Sequence, residues 1–332
     1  MIKEWIARGI VVLGLAVVIS IPVIKTVHGS DAIVVHARMA ENGGWAPENM
    51  TIAVGEPLHL RLTSDDVSHG FAVGQLGQPA VEIKPGEMTD ITLVFSKPGK
   101  YTFYCTRWCS LNHWRMRGTI EVTDPQAPAE PASPPLYVTL GLDIDAVHKA
   151  AVTPVGILAA WRGALLSRNI PEAFQSRDYY LSHTPIDLWM ALRSDQAYKD
   201  LSDQEVWDLV AWVWQSNTTP DQVKAGMEIY AANCAACHGE KGGGNGVFAD
   251  QLAAGSASLA TNQSTGEHTQ RPANFTDAAA MLSASPAHLQ GKIIRGGMGT
   301  GMPSWGPIFT DDQTWELIAY LWTFQFSSEV TP

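Results

Sequence analysis

Residues 105–116 read CTRWCSLNHWRM and place two thiols, one imidazole and one thioether within a short stretch, at Cys105, Cys109, His113 and Met116. Soft sulfur ligands together with imidazole select copper or zinc over hard cations. A zinc site normally uses a Cys-x-x-Cys knuckle and a second ligand pair, and no further cysteine or matching histidine pair lies nearby in the sequence. A blue-copper site needs one thiolate. Two cysteines four positions apart suit bridging thiolates, so the stretch predicts a site for two copper ions.

The sequence on either side, from residue 31 to residue 123, has the period-two pattern of short β-strands. Leu58, Leu60 and Leu62 alternate with polar residues, and turn sequences interrupt the pattern at residues 42–44, 84–86 and 97–99. About ninety residues of this kind predict an all-β sandwich. The paired cysteines therefore lie on a strand and loop rather than on a helix.

A second pair of cysteines lies in residues 234–238, which read CAACH. In this motif the two thiols, here Cys234 and Cys237, add covalently to the haem vinyl groups, and the adjacent His238 is positioned as the proximal iron ligand. The distal ligand is expected to be methionine, since Met/His ligation raises the potential of an electron-transfer haem. Met298 and Met302 share one glycine-rich loop, and Met302 is preferred because it precedes a proline, as the distal methionine usually does in the c-type cytochromes that this segment resembles.

The pattern Cys-x-x-x-Cys-x-x-x-His-x-x-Met resembles the CuA loop of the cupredoxin domain in subunit II of haem-copper oxidases. Residues 63–71, TSDDVSHGF, resemble the upstream loop that supplies the first histidine of that site. The resemblance implies that Cys105 and Cys109 bridge two coppers, that His69 and His113 each bind one, and that Met116 is a weak ligand. Arg107 stands where the family uses a backbone carbonyl. Many members of the family have glutamate there, so the local charge of this site differs from theirs.

Beyond the sandwich the sequence changes character. Residues 124–136, DPQAPAEPASPPL, are proline-rich and predict an extended, semi-rigid linker. Helical periodicity follows, and we divide it into a module at residues 137–218 and a c-type cytochrome domain at residues 219–328. The expected architecture is multi-domain: an N-terminal transmembrane helix, an all-β cupredoxin-like sandwich, and an all-α cytochrome c-like region.

Two helical segments of this region resemble each other. Residues 201–214 and 309–322 both begin with a capping signal, Ser202 with Glu205 and Thr310 with Gln313, and both are rich in tryptophan. Similar turn sequences precede them at residues 185–188 and 286–289. The match favours a degenerate internal repeat, whose first copy lacks cysteines and the Met-Pro loop. Residues 137–218 are then a haem-less cytochrome-like module, with an unrelated helical linker as the alternative.

The N-terminus predicts a membrane anchor. Residues 9–24, GIVVLGLAVVISIPVI, carry no charge and, with Trp5 and Ile6, approach the roughly 20 residues that a spanning helix needs. A cleaved signal peptide is the alternative, but no Ala-x-Ala-like site follows the run. We expect residues 1–30 to form a retained single-pass anchor and short linker in the plasma membrane, in contact with membrane lipid. The remaining domains then lie on the extracytoplasmic side.

The composition and the motifs of the sequence limit the classes of function that the protein can have. The 332 residues carry a formal charge of −11, which argues against nucleic-acid binding, and only four cysteines, which argues against a disulfide scaffold. Two one-electron centres without a nucleophile triad, a nucleotide loop or an open metal site indicate electron relay rather than substrate chemistry. The whole chain resembles subunit II of the haem-copper superfamily with a fused cytochrome c domain, and its single anchor is more like the B-type oxidases.

The resemblance implies a redox subunit with no catalytic site of its own. Electrons would pass from haem c to CuA and on to a catalytic membrane subunit I, in a cytochrome c oxidase or a CuA-type nitric oxide reductase. The donor would be a cytochrome, a cupredoxin or a quinol-oxidising complex. A free-standing anchored periplasmic carrier is the alternative. Nitrous oxide reductase also carries CuA, but this chain has no room for its large propeller domain.

Overall fold

The computed structural model describes residues 32–110, 112–127, 133–167, 170–252, 271–297 and 301–327. The chain divides into two compact units, Met1–Ala72 with Pro79–Ala129 and Val73–Gln78 with Glu130–Pro332. The predicted anchor at residues 9–24 lies outside the described residues. Within the described ranges, no helix combines the length and the apolar character needed to cross a bilayer.

The part of the chain between residues 33 and 123 is a β-sandwich, as predicted. Its strands are β1 (Ile33–Ala37), β2 (Trp45–Ala46), β3 (Asn49–Ala53), β4 (Pro57–Ser64), β5 (His69–Val73), β6 (Val81–Ile83), β7 (Thr89–Val94), β8 (Gly99–Tyr104) and β9 (Arg117–Thr123). One sheet has the strand order β2-β1-β4-β7, and the other has the order β3-β9-β8-β5-β6. The copper loop joins β8 to β9 in the second sheet.

The core of the sandwich follows from the alternation in the sequence. Leu58, Leu60 and Leu62 of β4 are 3%, 1% and 0% exposed, whereas the intervening His59 and Arg61 face solvent. Aromatic rings from both sheets meet between them: the ring centroids of Trp45, Phe71 and Phe103 lie 5.5 to 5.6 Å apart. These contacts bury the inner face beneath β5 and β8. The predicted ligand His69 is the first residue of β5, and Cys105 directly follows β8.

The second unit is mainly helical. Its helices are α1 (Leu136–Thr139), α2 (Ala160–Leu166), α3 (Glu172–Gln175), α4 (Arg177–Ser182), α5 (Pro185–Ser194), α6 (Asp203–Ser216), α7 (Pro220–Asn233), α8 (Ala235–His238), α9 (Ala278–Met281), α10 (Pro286–Arg295) and α11 (Asp311–Leu321). Both predicted capping boxes are present, Ser202 with Glu205 on α6 and Thr310 with Gln313 on α11. These local predictions are therefore confirmed.

The helical region also departs from the expectation. It is not purely α-helical, because β10 (Leu158–Ala159) pairs in parallel with β11 (Phe326–Ser327). Strands of two residues have no readable periodicity, so the sequence could not predict them. Helix α1 begins at Leu136, which the sequence assigned to the linker.

Two helix crossings in the helical region pass over a glycine. A β-carbon on Gly163 of α2 would lie 2.0 Å from the carbonyl oxygen of Asp208 on α6. A β-carbon on Gly226 of α7 would lie 1.9 Å from the carbonyl oxygen of Glu316 on α11. Asp208 and Glu316 occupy equivalent positions in the two tryptophan-rich segments. Each half of the region thus contains one glycine-mediated helix crossing at the same place.

Candidate copper and haem sites

The loop at residues 105–116 is closed at its base by the β-sheet. Tyr104 and Arg117 are partners in the antiparallel ladder of β8 and β9, and the Cys105 N–H donates to the Met116 carbonyl at 3.1 Å. A 3₁₀ turn, His113–Arg115, leads back into β9. The first and last predicted ligands of the loop therefore lie side by side at the edge of the sandwich core.

The structure brings the predicted copper ligands together. Cys105 Sγ lies 3.9 Å from Cys109 Sγ and 3.8 Å from Nδ1 of His69, which comes from the start of β5. Cys109 Sγ lies 3.3 Å from Met116 Sδ. The donor atoms of His69, Cys105 and Cys109 all fall within 4.8 Å of one another. Two soft thiols, an imidazole and a thioether thus converge on one point, although His69 is 36 residues from Cys105 in sequence.

His113 supplies a second imidazole beside the thiols. The residue is buried, its ring packs 4.4 Å from the ring of Trp108, and its Nδ1 has no hydrogen-bond partner among the described residues. A buried ring nitrogen without a partner is costly unless it binds something. The chemistry of the donors and this nitrogen both fit a metal centre.

Asp66 orients the other histidine. Asp66 Oδ1 lies 2.7 Å from Nε2 of His69, so the ring presents Nδ1 to Cys105. Partial burial raises the pKa of Asp66, but hydrogen bonds from His69, the Met39 N–H, Asn42 and the Val67 N–H outweigh it and hold that pKa well below its usual range. An ionised carboxylate on the distal nitrogen fixes the tautomer of a ligating histidine. Asp66 lies within residues 63–71 but was not among the predicted site residues.

The two thiols are coupled. Contact with the Cys109 thiol lowers the pKa of Cys105, and the imidazoles of His113 and His69 lower it further, against the effect of burial. Contact with Cys105 and burial raise the pKa of Cys109. Cys105 therefore loses its proton first, and the thiolate is the form that binds metal.

Arg107 lies where the sequence placed it, between the two cysteines. Its carbonyl oxygen lies 3.2 Å from Cys105 Sγ, and its guanidinium pairs with Glu82 of β6. The side chain thus points away from the ligands while the backbone carbonyl faces them.

The haem motif lies at the junction of α7 and α8. Cys234 directly follows α7, and His238 is the last residue of α8. His238 is buried, stacks 4.7 Å from the ring of Phe275, and its Nδ1 lies 3.0 Å from the Ala273 carbonyl. Burial lowers the pKa of His238, which keeps the imidazole neutral. With Nδ1 held by the backbone, Nε2 is the nitrogen left for iron.

The predicted distal loop follows α10. Gly296 ends that helix with a left-handed φ of 74°, and the Gly297 N–H donates to the Met302 carbonyl at 3.1 Å. Met302 is half-buried. Met298 lies outside the described residues. Ala273 and Phe275, which contact His238, carried no sequence signal, because neither residue type indicates a haem site.

Two stretches of the chain match families of known proteins. Residues 31–123 match the family described as "Cytochrome C oxidase subunit II, periplasmic domain". Residues 223–325 match the family described as "Cytochrome c". The chain joins a subunit II periplasmic domain to a cytochrome c domain.

Individual relatives match the subunit II domain. Cytochrome c oxidase subunit 2 of Thermus thermophilus is 36% identical over 81 residues, which cover 24% of this chain and 59% of that protein. Nitrous-oxide reductase of Stutzerimonas stutzeri is 34% identical over 79 residues, 23% of this chain and 12% of the enzyme. The crystal structure of the periplasmic domain of cytochrome oxidase subunit II of Bradyrhizobium japonicum has a TM-score of 0.22 at 24% identity, covering 24% of this chain and 56% of that one. This chain spans about half the length of the two Thermus subunit 2 proteins that it matches, 59% of one and 48% of the other.

These two domains imply two kinds of cofactor. The subunit II domain implies copper, and the thiols and imidazoles of its loop match that metal in softness. The cytochrome c domain implies a haem, and its buried, neutral His238 is suited to bind iron.

Proposed function

We propose that this protein is the electron-transfer subunit II of a membrane-bound haem-copper terminal oxidase. It would accept electrons at a covalently bound haem c, pass them to a binuclear CuA centre, and deliver them to a separate catalytic subunit I. The observation that carries this proposal is the convergence of His69, Cys105, Cys109 and Met116 beside Nδ1 of His113, which has no hydrogen-bond partner in the described part of the chain.

The donor set suits electron transfer. A copper pair bridged by two thiolates exchanges one electron without needing an open coordination position. Cys105 and Cys109 would bridge the metals, His69 and His113 would each hold one, and Met116 with the Arg107 carbonyl would complete the site. Because β8 and β9 fix both ends of the loop, they would restrain Cys105, Cys109, His113 and Met116 when an electron enters or leaves the site.

In this proposal the haem iron likewise has no open coordination position. Cys234 and Cys237 would form the thioether bonds, with His238 and Met302 as the axial ligands. All four cysteines of the sequence are then committed to electron-transfer centres. No position remains in this proposal where oxygen could bind and be activated, so the catalytic chemistry belongs to another polypeptide.

The remaining parts of the proposal concern location and partners. The subunit II match is to a periplasmic domain. We propose that the apolar run at residues 9–24 anchors the chain in the plasma membrane with both domains outside the cytoplasm. A cytochrome, a cupredoxin or a quinol-oxidising complex would reduce the haem.

Metal and haem analysis of the full chain, purified in detergent, tests the proposal. We expect two coppers and one covalent haem per chain, with the electron paramagnetic resonance spectrum of one electron shared by two coppers. Cys109→Ser should abolish the copper pair and leave the haem, whereas Cys234→Ala with Cys237→Ala should do the reverse. One tightly bound zinc, or a single copper with a blue-copper spectrum, would contradict the proposal.

A further inference from the structure

We infer that the ion pair between Arg107 and Glu82 positions the copper loop and sets the charge next to it, so that these two side chains shift the reduction potential of the site in opposite directions. The inference rests on the copper site proposed above. Neither residue is a donor through its side chain; both act through the loop that carries the donors.

The loop is attached to two neighbouring strands. Thr106, in the loop after β8, packs against Gly70 of β5. Its N–H donates to the Gly70 carbonyl at 3.4 Å, and a β-carbon on Gly70 would lie 2.0 Å from Thr106 Oγ1. Only glycine leaves room for this approach. Gly70 is the cross-strand partner of Glu82 on β6. Arg107, the next residue of the loop, reaches that same Glu82.

The other end of Arg107 faces the thiols. Its carbonyl oxygen accepts the Cys109 N–H at 2.8 Å and lies 3.2 Å from Cys105 Sγ. A shift of the Arg107 backbone would therefore move groups that contact both cysteines. Holding the guanidinium on β6 restrains this shift.

The pair also balances charge. Arg107 and Glu82 are 53% and 46% exposed, and Lys84 Nζ lies 4.0 Å from the Glu82 carboxylate. Exposed pairs of this kind contribute little to folding stability. Breaking this one, however, leaves an unbalanced charge either on Arg107, whose carbonyl oxygen contacts Cys105 Sγ, or on its partner Glu82. A cation there favours the reduced, less positive state of the metal pair, and an anion favours the oxidised state.

The two single changes are therefore not equivalent. Glu82→Gln leaves both Arg107 and Lys84 unbalanced, so the potential should shift upward. Arg107→Gln leaves Glu82 with Lys84 still close by, so the downward shift should be the smaller of the two. The double variant removes one charge of each sign and should return the potential toward that of the unaltered protein.

The experiment uses the copper-loaded full chain and measures the potential by spectroelectrochemistry, with the copper hyperfine pattern as a second readout. Each variant is measured at about 0.01 M and about 1 M salt, where the Debye length falls from roughly 30 Å to 3 Å and a charge effect must shrink. The matched controls are Arg61→Gln and Asp90→Asn, which break another exposed pair, at 3.1 Å, on the other sheet. We expect opposite, salt-dependent shifts at Arg107 and Glu82 that exceed those of the controls.

The inference is overturned if both single variants shift the potential in the same direction, or if their shifts are no larger than those of the controls. Failure of the proposed function can be distinguished from failure of this inference, because in the first case the unaltered chain itself does not bind two coppers. A chain that binds no copper pair refutes both.

Discussion

Gly226 lies so close to Glu316 that a β-carbon at position 226 would come within 1.9 Å of the Glu316 carbonyl oxygen. Helices α7 and α11 therefore cross with their backbones in direct contact. The crossing lies on the helix that precedes the haem motif, because α7 leads directly into Cys234. A side chain at this position would separate the helix that carries the motif from the terminal helix.

Gly226→Ala should lower the free energy of unfolding of the cytochrome c domain by about 1–3 kcal/mol, the usual cost of overpacking a tight contact. Helix propensity alone predicts the opposite, a gain of up to about 1 kcal/mol. Urea unfolding followed by the haem absorbance measures the difference. Ala231→Ser is the control, since it adds one atom at an exposed site of the same helix. A stabilised Gly226→Ala variant would show that the helices do not cross here.

Asp66→Ala should weaken copper binding by about tenfold to hundredfold, because outer-shell partners of ligating histidines contribute that much to metal affinity. His69 would lose the carboxylate on its Nε2. Competition with a copper chelator measures the affinity. Asp65→Ala is the control, since the adjacent Asp65 pairs with His36 and Arg38 rather than with His69. Equal losses in both variants would assign the effect to the loop in general.

Met302→Ala should lower the reduction potential of the haem and remove the absorption band of methionine bound to iron, because the thioether favours ferrous iron. Met298→Ala should leave both unchanged. Spectroelectrochemistry of each full-length variant separates the two methionines. The reverse result would transfer the distal role from Met302 to Met298.

Acid should destabilise the helical unit through His288. Burial, together with the nearby His148, Lys292 and Arg295, lowers the pKa of this residue to about 4, although Asp145 partly opposes the shift. The unfolded chain binds the proton at its ordinary pKa of about 6.5. Stability is therefore complete above pH 6.5 and declines as the pH falls toward 4, by about 1–3 kcal/mol.

His288→Gln should remove this part of the pH dependence. Urea midpoints at pH 7.5 and pH 4.5, read from tryptophan fluorescence, should differ less in the variant than in the unaltered chain. His183→Gln is the control, because His183 is exposed. An unchanged slope in His288→Gln would assign the acid sensitivity to the carboxylates instead.

Much of the candidate site could be predicted from the sequence because its donors are clustered. Residues 105–116 contain most of the proposed copper ligands, and Cys234 to His238 contain most of the haem attachment. The starts of two helices could be predicted as well, because a capping box involves only the N-cap residue, here Ser202 or Thr310, and the residue three positions later. Signals confined to a few neighbouring residues do not depend on the path of the remaining chain.

The contacts that orient those donors could not be predicted in this way. The Ala273 carbonyl that holds His238 is 35 residues away, and the Glu82 carboxylate that binds Arg107 is 25 residues away on an edge strand. A carbonyl or an exposed glutamate has no distinguishing pattern. Only strand pairing and helix packing determine which of many such groups meets the ligand.

The sequence alone determined which segments are candidates to bind copper and haem, because donor type and spacing are properties of the chain itself. It also determined the β-sandwich, whose alternating leucines require one buried face. The tertiary structure decided the rest: which nitrogen of His69 faces Cys105, why a buried nitrogen of His113 has no hydrogen-bond partner among the residues described, and where Gly226 meets Glu316. These depend on distances between residues far apart in sequence, and packing of the folded chain determines such distances.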